Sequence, residues 1–329
     1  MDWSGKPVLV TGAGGFIGSH LTERLLELGA SVRALVHYNA MSSPGWLAAV
    51  PDRLRPGLEI AFGDVRDSDS VHKAMAGREA VLHLAALISV PYSFEAPRSF
   101  LDTNVAGALN ILSAANAQGA RVVIASSSEV YGTPTITPIT EAHPLQAHSP
   151  YAASKIAADK FAESFHHSYG TAVTVLRPFN TYGPRQSTRA VLPVILSQLL
   201  SGEPKVRLGS LHPQRDLTFV DDTVAGFVKA VESGRAIGET IQLGTGRTTS
   251  IGDLVKLAAR LLNVEFEIET EEKRVRPADA EVEVLLSDPA AARELLGWKP
   301  TVSLEDGIIR TAEWMQSSLG ESPTAQYVV

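Results

Sequence analysis

A glycine-rich segment near the start of the chain constrains the fold most. Residues 7–11 (PVLVT) form an apolar run that predicts a buried strand, and residues 18–28 carry leucines at helical spacing. Between them, Gly12, Gly15 and Gly18 recur at three-residue intervals. Such glycines allow a tight turn, a close backbone approach to a pyrophosphate and the packing of helix on strand. The N-terminus of the helix then offers free N–H groups to phosphates, so we predict a dinucleotide-binding loop.

Short apolar runs alternate with helical patterns through the first half of the chain. Further strands are predicted at residues 31–36, 58–62, 80–84, 121–125 and 172–176. Strands separated by helices indicate right-handed βαβ units and a parallel sheet, with the ligand crevice beyond the carboxyl ends of the strands. After Arg177 we predict helices at 191–200, 251–262 and 301–315, and strands at 216–220 and 240–243.

The expected fold class is therefore α/β, with a doubly wound parallel (Rossmann) sheet and a smaller C-terminal α/β substrate domain. Residues 1–177 plus 214–247 are predicted to form the dinucleotide-binding domain. Residues 178–213 plus 248–316 are predicted to form the second domain, and residues 317–329 a polar tail.

Composition excludes several classes of protein. The chain has 329 residues, 44% of them hydrophobic, so it can bury a sizeable core. It has no cysteine, which excludes disulfides, thiolate metal sites and a catalytic cysteine, and no His/Asp/Glu spacing suggests a metal site. The net charge of −7 argues against nucleic-acid binding. With no signal-peptide pattern and no long apolar run, we expect a cytoplasmic protein without a membrane partner.

The end of the second strand leaves the type of dinucleotide open. An acidic residue usually binds the adenosine ribose there, but this strand ends in His37 followed by Tyr38 and Asn39. Arg33 and His37 could favour a ribose phosphate, so both NAD and NADP are considered. Asp64, after the third strand, is predicted to contact the adenine, with a helix N-cap as the alternative.

Tyr151 and Lys155 lie four residues apart, which places them on one helix face. A tyrosine with its ordinary pKa of about 10 is a poor base at neutral pH. A nearby ammonium group and a positive nicotinamide would stabilise the phenolate, and lowering its pKa by about three units requires about 4 kcal/mol. Ser127, at the end of the preceding strand, is positioned to bind the oxygen of the reacting carbon.

Five motifs together carry a family resemblance: TGAGGFIG, HLAA (83–86), SSSEVYG (126–132), YAASK and RPFNTYGP (177–184). They resemble the extended short-chain dehydrogenases/reductases, and within these the nucleotide-sugar epimerases, dehydratases and decarboxylases. The resemblance implies a sugar-nucleotide substrate, a homodimer, and a tightly bound NAD or NADP that is regenerated in each turnover.

Glu129 directs the choice of reaction. The matching residue of 4-epimerases is typically not acidic, whereas a 4,6-dehydratase needs a carboxylate to remove the C5 proton. The resemblance implies a lyase that oxidises C4, eliminates water across C5 and C6, and returns hydride to C6. Ser128 stands where dTDP-glucose 4,6-dehydratases carry an aspartate, so the pattern is closer to GDP-mannose and N-acetylhexosamine 4,6-dehydratases. Residues 37–47 resemble an insert of the legionaminic-pathway type of the latter.

Three alternatives remain open: a 4-epimerase, a UDP-glucuronate decarboxylase, and a cofactor-binding sensor without turnover. The predicted catalytic residues are Ser127, Ser128, Glu129, Tyr151 and Lys155. The predicted cofactor contacts are Gly12, Gly14, Gly15, Phe16, Ile17, Gly18, His37, Asp64, Val65, Leu84, Ala85, Ala86, Asn104, Tyr151, Lys155 and Pro178. The predicted substrate contacts are Ser89, Tyr92, Asn180, Arg215 and Arg276. His83, within an apolar strand, is predicted to be a core histidine.

Overall fold

A seven-stranded parallel sheet forms the centre of the molecule. The computed structural model describes residues 2–202, 205–271 and 282–319. Six strands come from the first half of the chain: β1 Pro7–Thr11, β2 Ser31–His37, β3 Leu58–Gly63, β4 Ala80–His83, β5 Arg121–Ala125 and β6 Val173–Pro178. The seventh, β11 (Thr240–Leu243), pairs with β6 at the sheet edge. The order β11-β6-β5-β4-β1-β2-β3 confirms the predicted doubly wound Rossmann sheet.

Helices pack on both faces of this sheet, and further helices lie outside it. In chain order the helices are α1 Phe16–Glu27, α2 Ser68–Met75, α3 Val90–Glu95, α4 Pro97–Phe100, α5 Gly107–Gln118, α6 Pro150–Tyr169, α7 Val191–Leu200, α8 Val220–Glu232, α9 Ile251–Leu262, α10 Ala290–Leu296 and α11 Leu304–Leu319. Successive residues of β1 point to opposite faces, so Val8 and Val10 pack with α1 and α8 while Leu9 packs with α2, α5 and α6. Short 3₁₀ turns lie at Gly45–Ala49, Asp52–Gly57, Ser128–Tyr131 and Gly234–Ala236, and a π-helical turn at Leu101–Ala106.

Smaller sheets lie outside the central one. β7 (Thr181–Tyr182) pairs with β10 (Thr218–Phe219), and β8 (Lys205–Leu208) pairs with β13 (Glu267–Thr270). β9 (Gln214–Arg215) lies between β12 (Thr249–Ser250) and β14 (Val284–Leu285). The predicted segment 214–247 therefore begins outside the central sheet, and the chain returns to that sheet only at β11. The domain boundaries stay a prediction.

Some predicted boundaries differ from the structure. The strand predicted at 216–220 is confirmed only at Thr218–Phe219, because Val220 begins α8, whose first turn carries Asp221 and Asp222. Acidic residues stabilise the positive end of a helix there. At the C-terminus, α11 continues to Leu319 and so includes residues 317–319 of the predicted tail. The rest of the tail lies outside the described residues.

A buried carboxylate fixes the chain beside β9. Asp216 is fully buried, and its Oδ1 accepts hydrogen bonds from Thr245 N at 2.7 Å and Thr245 Oγ1 at 2.6 Å. Its Oδ2 accepts from Gly246 N at 2.9 Å and from both the backbone and the hydroxyl of Ser287. Five donors on one carboxylate join the segments after β9, β11 and β14.

We expect Asp216→Asn to lower the free energy of unfolding by roughly 2–4 kcal/mol, because an amide cannot accept all five hydrogen bonds and leaves buried donors unpaired. Urea denaturation measures the change. Asp52→Asn is the control, because the Asp52 side chain is 99% exposed and its loss should change stability little. Equal stability of the two variants would contradict this account of Asp216.

Candidate active site

The glycine loop joins β1 to α1 and lies against the end of β4. Gly12 has φ +66°, and a Cβ on it would lie 2.7 Å from Ala85 N. A Cβ on Gly18 would overlap the carbonyl oxygen of Gly12. The first turn of α1, which includes Phe16 and Ile17, has neither a capping side chain nor an acidic residue. The backbone there fits an anionic group such as the pyrophosphate of a dinucleotide.

The end of β2 carries no carboxylate of its own. Exposed His37 has its Nδ1 3.9 Å from Asp64 Oδ2, and Asp64 in turn accepts a hydrogen bond from Arg66 Nε at 2.9 Å. The bond to Arg66, which sequence analysis did not select, holds the pKa of Asp64 below its usual value. Arg33 donates to backbone carbonyls at the C-terminal end of α2 and pairs with Glu59. Its guanidinium is therefore engaged there, and the argument for a ribose phosphate loses that support.

The insert after β2 contacts the glycine loop directly. Trp46 N donates to Gly14 O at 3.0 Å, and Gly45, at φ +62°, lies so close that a Cβ would overlap the same oxygen. Asn39 closes the insert on itself by hydrogen bonds to both backbone groups of Ser43. The Trp46 ring packs edge-on against Trp314 of α11 at 5.4 Å. This insert therefore supports the loop and connects it to the C-terminal helix.

Residues Leu84–Ala86 continue from β4 past the same loop. Thr11 Oγ1 hydrogen-bonds His83 Nδ1 at 2.7 Å and accepts from Ala85 N at 3.1 Å. Burial lowers the pKa of His83 to about 3, so this histidine is neutral and belongs to the core, as predicted. Val65 is also buried in the core.

Asn104 orders the loop that follows β4. Its amide accepts from Leu87 N at 2.8 Å and donates to Leu87 O and Ser154 Oγ, each at 2.9 Å. Because Asn104 lies in the π-helical turn and Ser154 in α6, the loop is tied to the helix of Tyr151. Asn104 therefore orders this loop, while its predicted contact to the cofactor stays a prediction.

Helix α6 brings Tyr151 and Lys155 to the end of β5. The helix begins at Pro150 because Ser149 Oγ caps it by accepting from Ala152 N at 3.1 Å. Ser127 hydrogen-bonds the Tyr151 phenol, and Lys155 Nζ donates to Ala125 O at 2.9 Å. Both α6 side chains are buried, so the structure joins three of the five predicted catalytic residues in one place.

The electrostatics of this group differ from the prediction. Burial raises the pKa of Tyr151 to about 12; the hydrogen bond from Ser127 opposes the rise, and the negative charge of Glu129 adds to it. Burial also lowers the pKa of Lys155 to about 8. The expectation that Lys155 lowers the pKa of the phenol is wrong for the protein's own groups, because desolvation dominates and the ammonium donates to Ala125 O.

Glu129 lies in the 3₁₀ turn Ser128–Tyr131 that follows β5. Ser127 caps this turn by accepting from Glu129 N at 3.2 Å. The Glu129 side chain is half-buried, and within the described ranges its carboxylate has neither a hydrogen bond nor an ion pair. Ser128 is buried beside it. A carboxylate without a partner next to a phenol is available to accept a proton.

A buried ion pair behind these residues was not predicted. Arg177 Nη2 lies 2.9 Å from Asp159 Oδ2, and both side chains are almost fully buried. A signal was present, because Asp159 follows Lys155 at the same four-residue spacing that separates Tyr151 from Lys155.

Of the predicted substrate contacts on the second half of the chain, Asn180 lies just after the end of β6. Pro178 ends β6, and Asn180 follows with a buried Oδ1 that has no hydrogen-bond partner. A buried polar atom without a partner indicates a place where a ligand or water binds. Arg215 is buried in β9 and donates to Val282 O at 2.6 Å. Arg276 lies outside the described residues.

Ser89 and Tyr92 lie at the start of α3 and are connected to Tyr151 through the ring of Phe100. Ser89 caps α3 by accepting from Tyr92 N at 3.3 Å, and the Tyr92 ring lies 6.2 Å from Phe100. Phe100 in turn packs at 6.2 Å against Tyr151.

Within residues 2–202, 205–271 and 282–319, no acidic and histidine side chains cluster as a metal site would require. In the same ranges no helix combines the length and apolarity needed to cross a membrane.

Comparison with known proteins assigns the family. The model of the GDP-mannose 4,6 dehydratase family matches residues 9–311. The chain belongs to this family. A dTDP-glucose 4,6-dehydratase of Streptomyces griseus is 36% identical over 93% of this chain and 93% of its own. A UDP-glucose 4-epimerase of Mycolicibacterium smegmatis is 33% identical over 94% of this chain and 98% of its own.

A solved structure agrees with both the fold and the family. The dTDP-glucose 4,6-dehydratase of Streptomyces venezuelae, determined with NAD bound, superposes with a TM-score of 0.86. It is 30% identical and covers 96% of this chain and 98% of its own. The family contains NAD-dependent nucleotide-sugar enzymes of both kinds, 4,6-dehydratases and 4-epimerases.

The packing of the glycine loop makes a testable prediction. Alanine normally stabilises a helix relative to glycine by about 1 kcal/mol, but at Gly18 its methyl group meets the Gly12 carbonyl. We expect Gly18→Ala to lower NAD affinity at least ~10-fold, because the pyrophosphate turn must shift.

Gly252→Ala is the matched control, because Gly252 also lies in the first turn of a helix and a Cβ there meets nothing closer than 3.5 Å. NAD titration followed by intrinsic fluorescence measures both variants. Unchanged affinity in Gly18→Ala would contradict the predicted binding loop.

Proposed function

We propose that this chain is an NAD-dependent nucleotide-sugar 4,6-dehydratase that forms a 4-keto-6-deoxy sugar nucleotide. The observation that carries the proposal is the half-buried Glu129 carboxylate, which has no partner among the described residues and whose charge reaches the Tyr151 phenol. A 4-epimerase leaves the C5 proton of its substrate in place, so its reaction does not require this carboxylate. The similarity to a dTDP-glucose 4,6-dehydratase supports the same reaction.

In the proposed reaction Tyr151 accepts the proton of the C4 hydroxyl, and Ser127 holds the C4 oxygen. NAD, when bound at the glycine loop, supplies the oxidation at C4 and the later reduction at C6. The C4 ketone makes the C5 proton acidic, and Glu129 accepts that proton. Glu129 then delivers it to the C6 hydroxyl, which leaves as water, because Ser128 has no carboxyl group to act as a separate acid. When C6 is reduced, C5 takes up a proton that comes from solvent. Lys155 is proposed to hold the nicotinamide ribose, and the positive nicotinamide to stabilise the phenolate.

The other predicted contacts extend this proposal to the whole ligand. Asn180 and Arg215, with Arg276, are proposed to bind the diphosphate, for which a guanidinium offers paired donors. Ser89 and Tyr92 are proposed to line the hexose pocket. The proposed sugar-nucleotide domain comprises residues 178–213 and 248–316.

A homodimer is part of the proposal. Three large apolar side chains are exposed on elements that pack together: Phe94 on α3, Leu101 in the π-helical turn and Phe161 on α6. Contiguous exposed apolar side chains mark association surfaces.

Epimerisation at C4 is the second candidate. The similarity to a UDP-glucose 4-epimerase favours it, and Ser127, Tyr151 and Lys155 are sufficient for oxidation and reduction at C4. Incubation with dTDP-glucose, GDP-mannose and UDP-N-acetylglucosamine in deuterated water distinguishes the reactions. The dehydratase loses one water from its substrate and places solvent deuterium at C5, whereas an epimerase retains the mass and gains no deuterium. An epimerised product without deuterium would overturn the proposal.

Glu129→Gln isolates the elimination step. Because glutamine cannot accept the C5 proton, we expect dehydration to fall at least ~100-fold. Substrate should still reduce the bound NAD, seen as the near-ultraviolet absorbance of the reduced nicotinamide, because Tyr151 is unchanged. Tyr151→Phe should lose both signals.

Glu141→Gln is the matched control, because Glu141 is also a half-buried glutamate but accepts its hydrogen bond from Gln242 N at 2.9 Å. Its dehydration rate should stay close to that of the unaltered protein. Full activity in Glu129→Gln would remove Glu129 from the mechanism.

A further inference from the structure

Asp159 continues the row of functional side chains on α6. Tyr151, Lys155 and Asp159 follow one another at four-residue intervals, so they lie along one face of the helix. Their exposed fractions are 7%, 6% and 4%, respectively. Burying a carboxylate costs free energy of desolvation unless hydrogen bonds or an ion pair compensate for it. The contacts of Asp159 therefore indicate its role.

The Asp159 carboxylate joins three elements through one oxygen. Its Oδ2 accepts from Ser126 Oγ at 2.9 Å, and from Arg177 Nε at 3.0 Å and Nη2 at 2.9 Å. Arg177 also donates Nη1 to Tyr131 Oη at 2.9 Å. These bonds connect α6 with the end of β5, with β6 and with the turn that carries Glu129. The second oxygen, Oδ1, is buried and has no hydrogen-bond partner among the described residues.

Ser126 connects the Asp159 carboxylate to the backbone beside Tyr151 and Lys155. Its neighbour Ala125 accepts the hydrogen bond from Lys155 Nζ, and its other neighbour Ser127 hydrogen-bonds Tyr151. The carboxylate that holds Ser126 therefore fixes the backbone on which both contacts depend.

Charge gives Asp159 a second effect. Among the described residues, Lys155 interacts with the charge of Asp159 on its own helix and lies close to the neutral His83 on β4. Arg177 on β6 pairs with Asp159. The negative charge of Asp159 raises the pKa of Lys155 against the lowering by burial. It also raises the pKa of Tyr151, as does Glu129.

We propose that Asp159 is a positioning residue that holds the Ser126–Ser127 backbone against α6 and places a buried negative charge one helical turn from the Lys155 ammonium group. The inference rests on the proposed function for its effect on turnover. Its effect on the charge of Lys155 is independent of any substrate and can be measured without one.

Asp159→Asn tests the charge directly. Asparagine keeps the shape and one oxygen acceptor but removes the negative charge, so the Lys155 titration midpoint should fall by about one pH unit. Lysine side-chain NMR of the whole protein, with Lys155→Arg to assign the signal, measures this midpoint. Asp159→Glu should restore it, because the charge is retained. An unchanged midpoint in Asp159→Asn would overturn the proposal even if the protein dehydrates sugar nucleotides.

The pH profile of turnover provides the second readout. Activity requires the deprotonated phenol and the ammonium group, so both limbs of the profile should move to lower pH in Asp159→Asn, since the charge raises both pKa values. A purely structural defect would lower the rate without moving the limbs, and that result would contradict the proposal.

Ser126→Ala separates positioning from charge. It removes one hydrogen bond and keeps the carboxylate, so the Lys155 midpoint should stay in place while kcat falls about ten-fold through misplacement of Ser127.

Asp222→Asn is the control for the loss of any buried charge. Asp222 is a buried carboxylate on α8 that accepts a hydrogen bond from Thr301 N at 2.9 Å. This substitution should lower stability without moving the Lys155 midpoint. An unchanged kcat in Ser126→Ala would contradict the positioning role, and a shifted midpoint in Asp222→Asn would contradict the specific role of Asp159. If Asp159→Asn does not fold, Asp159→Glu and Ser126→Ala still test the two roles.

Discussion

The burial of a phenol and an ammonium group on one face of α6 is the constraint on which the site depends. Desolvation moves the pKa of Tyr151 up to about 12 and that of Lys155 down to about 8. Bringing such a phenol to ionise at neutral pH requires about 7 kcal/mol of added stabilisation of the phenolate, at ~1.36 kcal/mol per pKa unit. The protein's own charges oppose this ionisation, because Glu129 and Asp159 are both negative. The positive charge of oxidised NAD is the favourable contribution in the proposed function.

Polar side chains that hold backbone segments create this environment. Asn104 ties the loop after β4 to α6, and Asp216 joins three segments around β9. Asp159 attaches the serine segment after β5. The segments after β4, β5 and β11 follow the carboxyl ends of strands of the central sheet, where a parallel sheet gathers its ligand-binding loops. The sheet supplies the direction of these loops, and the buried polar groups fix their conformation.

Much of this arrangement follows from local sequence patterns. The glycines at positions 12, 15 and 18 and the alternating apolar runs predict the loop and the sheet, because close packing and periodicity are local properties. Tyr151 and Lys155 were predicted to share a helix face for the same reason. The partner of Arg33 and the pair Asp159–Arg177 were not predicted, because they depend on which elements the fold brings together. The rise in the pKa of Tyr151 does not follow from local sequence, since burial in the tertiary structure determines it. The predicted lowering depends on a bound nicotinamide and stays a prediction.

The family contains two reactions on one scaffold, and the difference between them lies on the carbon next to the oxidised one. In this account Tyr151 acts at C4 and Glu129 at C5, and the hydride removed from C4 is returned to C6. A sugar nucleotide that carries deuterium at C4 tests this most directly. The account predicts a product with that deuterium on C6, transferred within the same molecule. Recovery of the deuterium at C4, in either configuration, would contradict it.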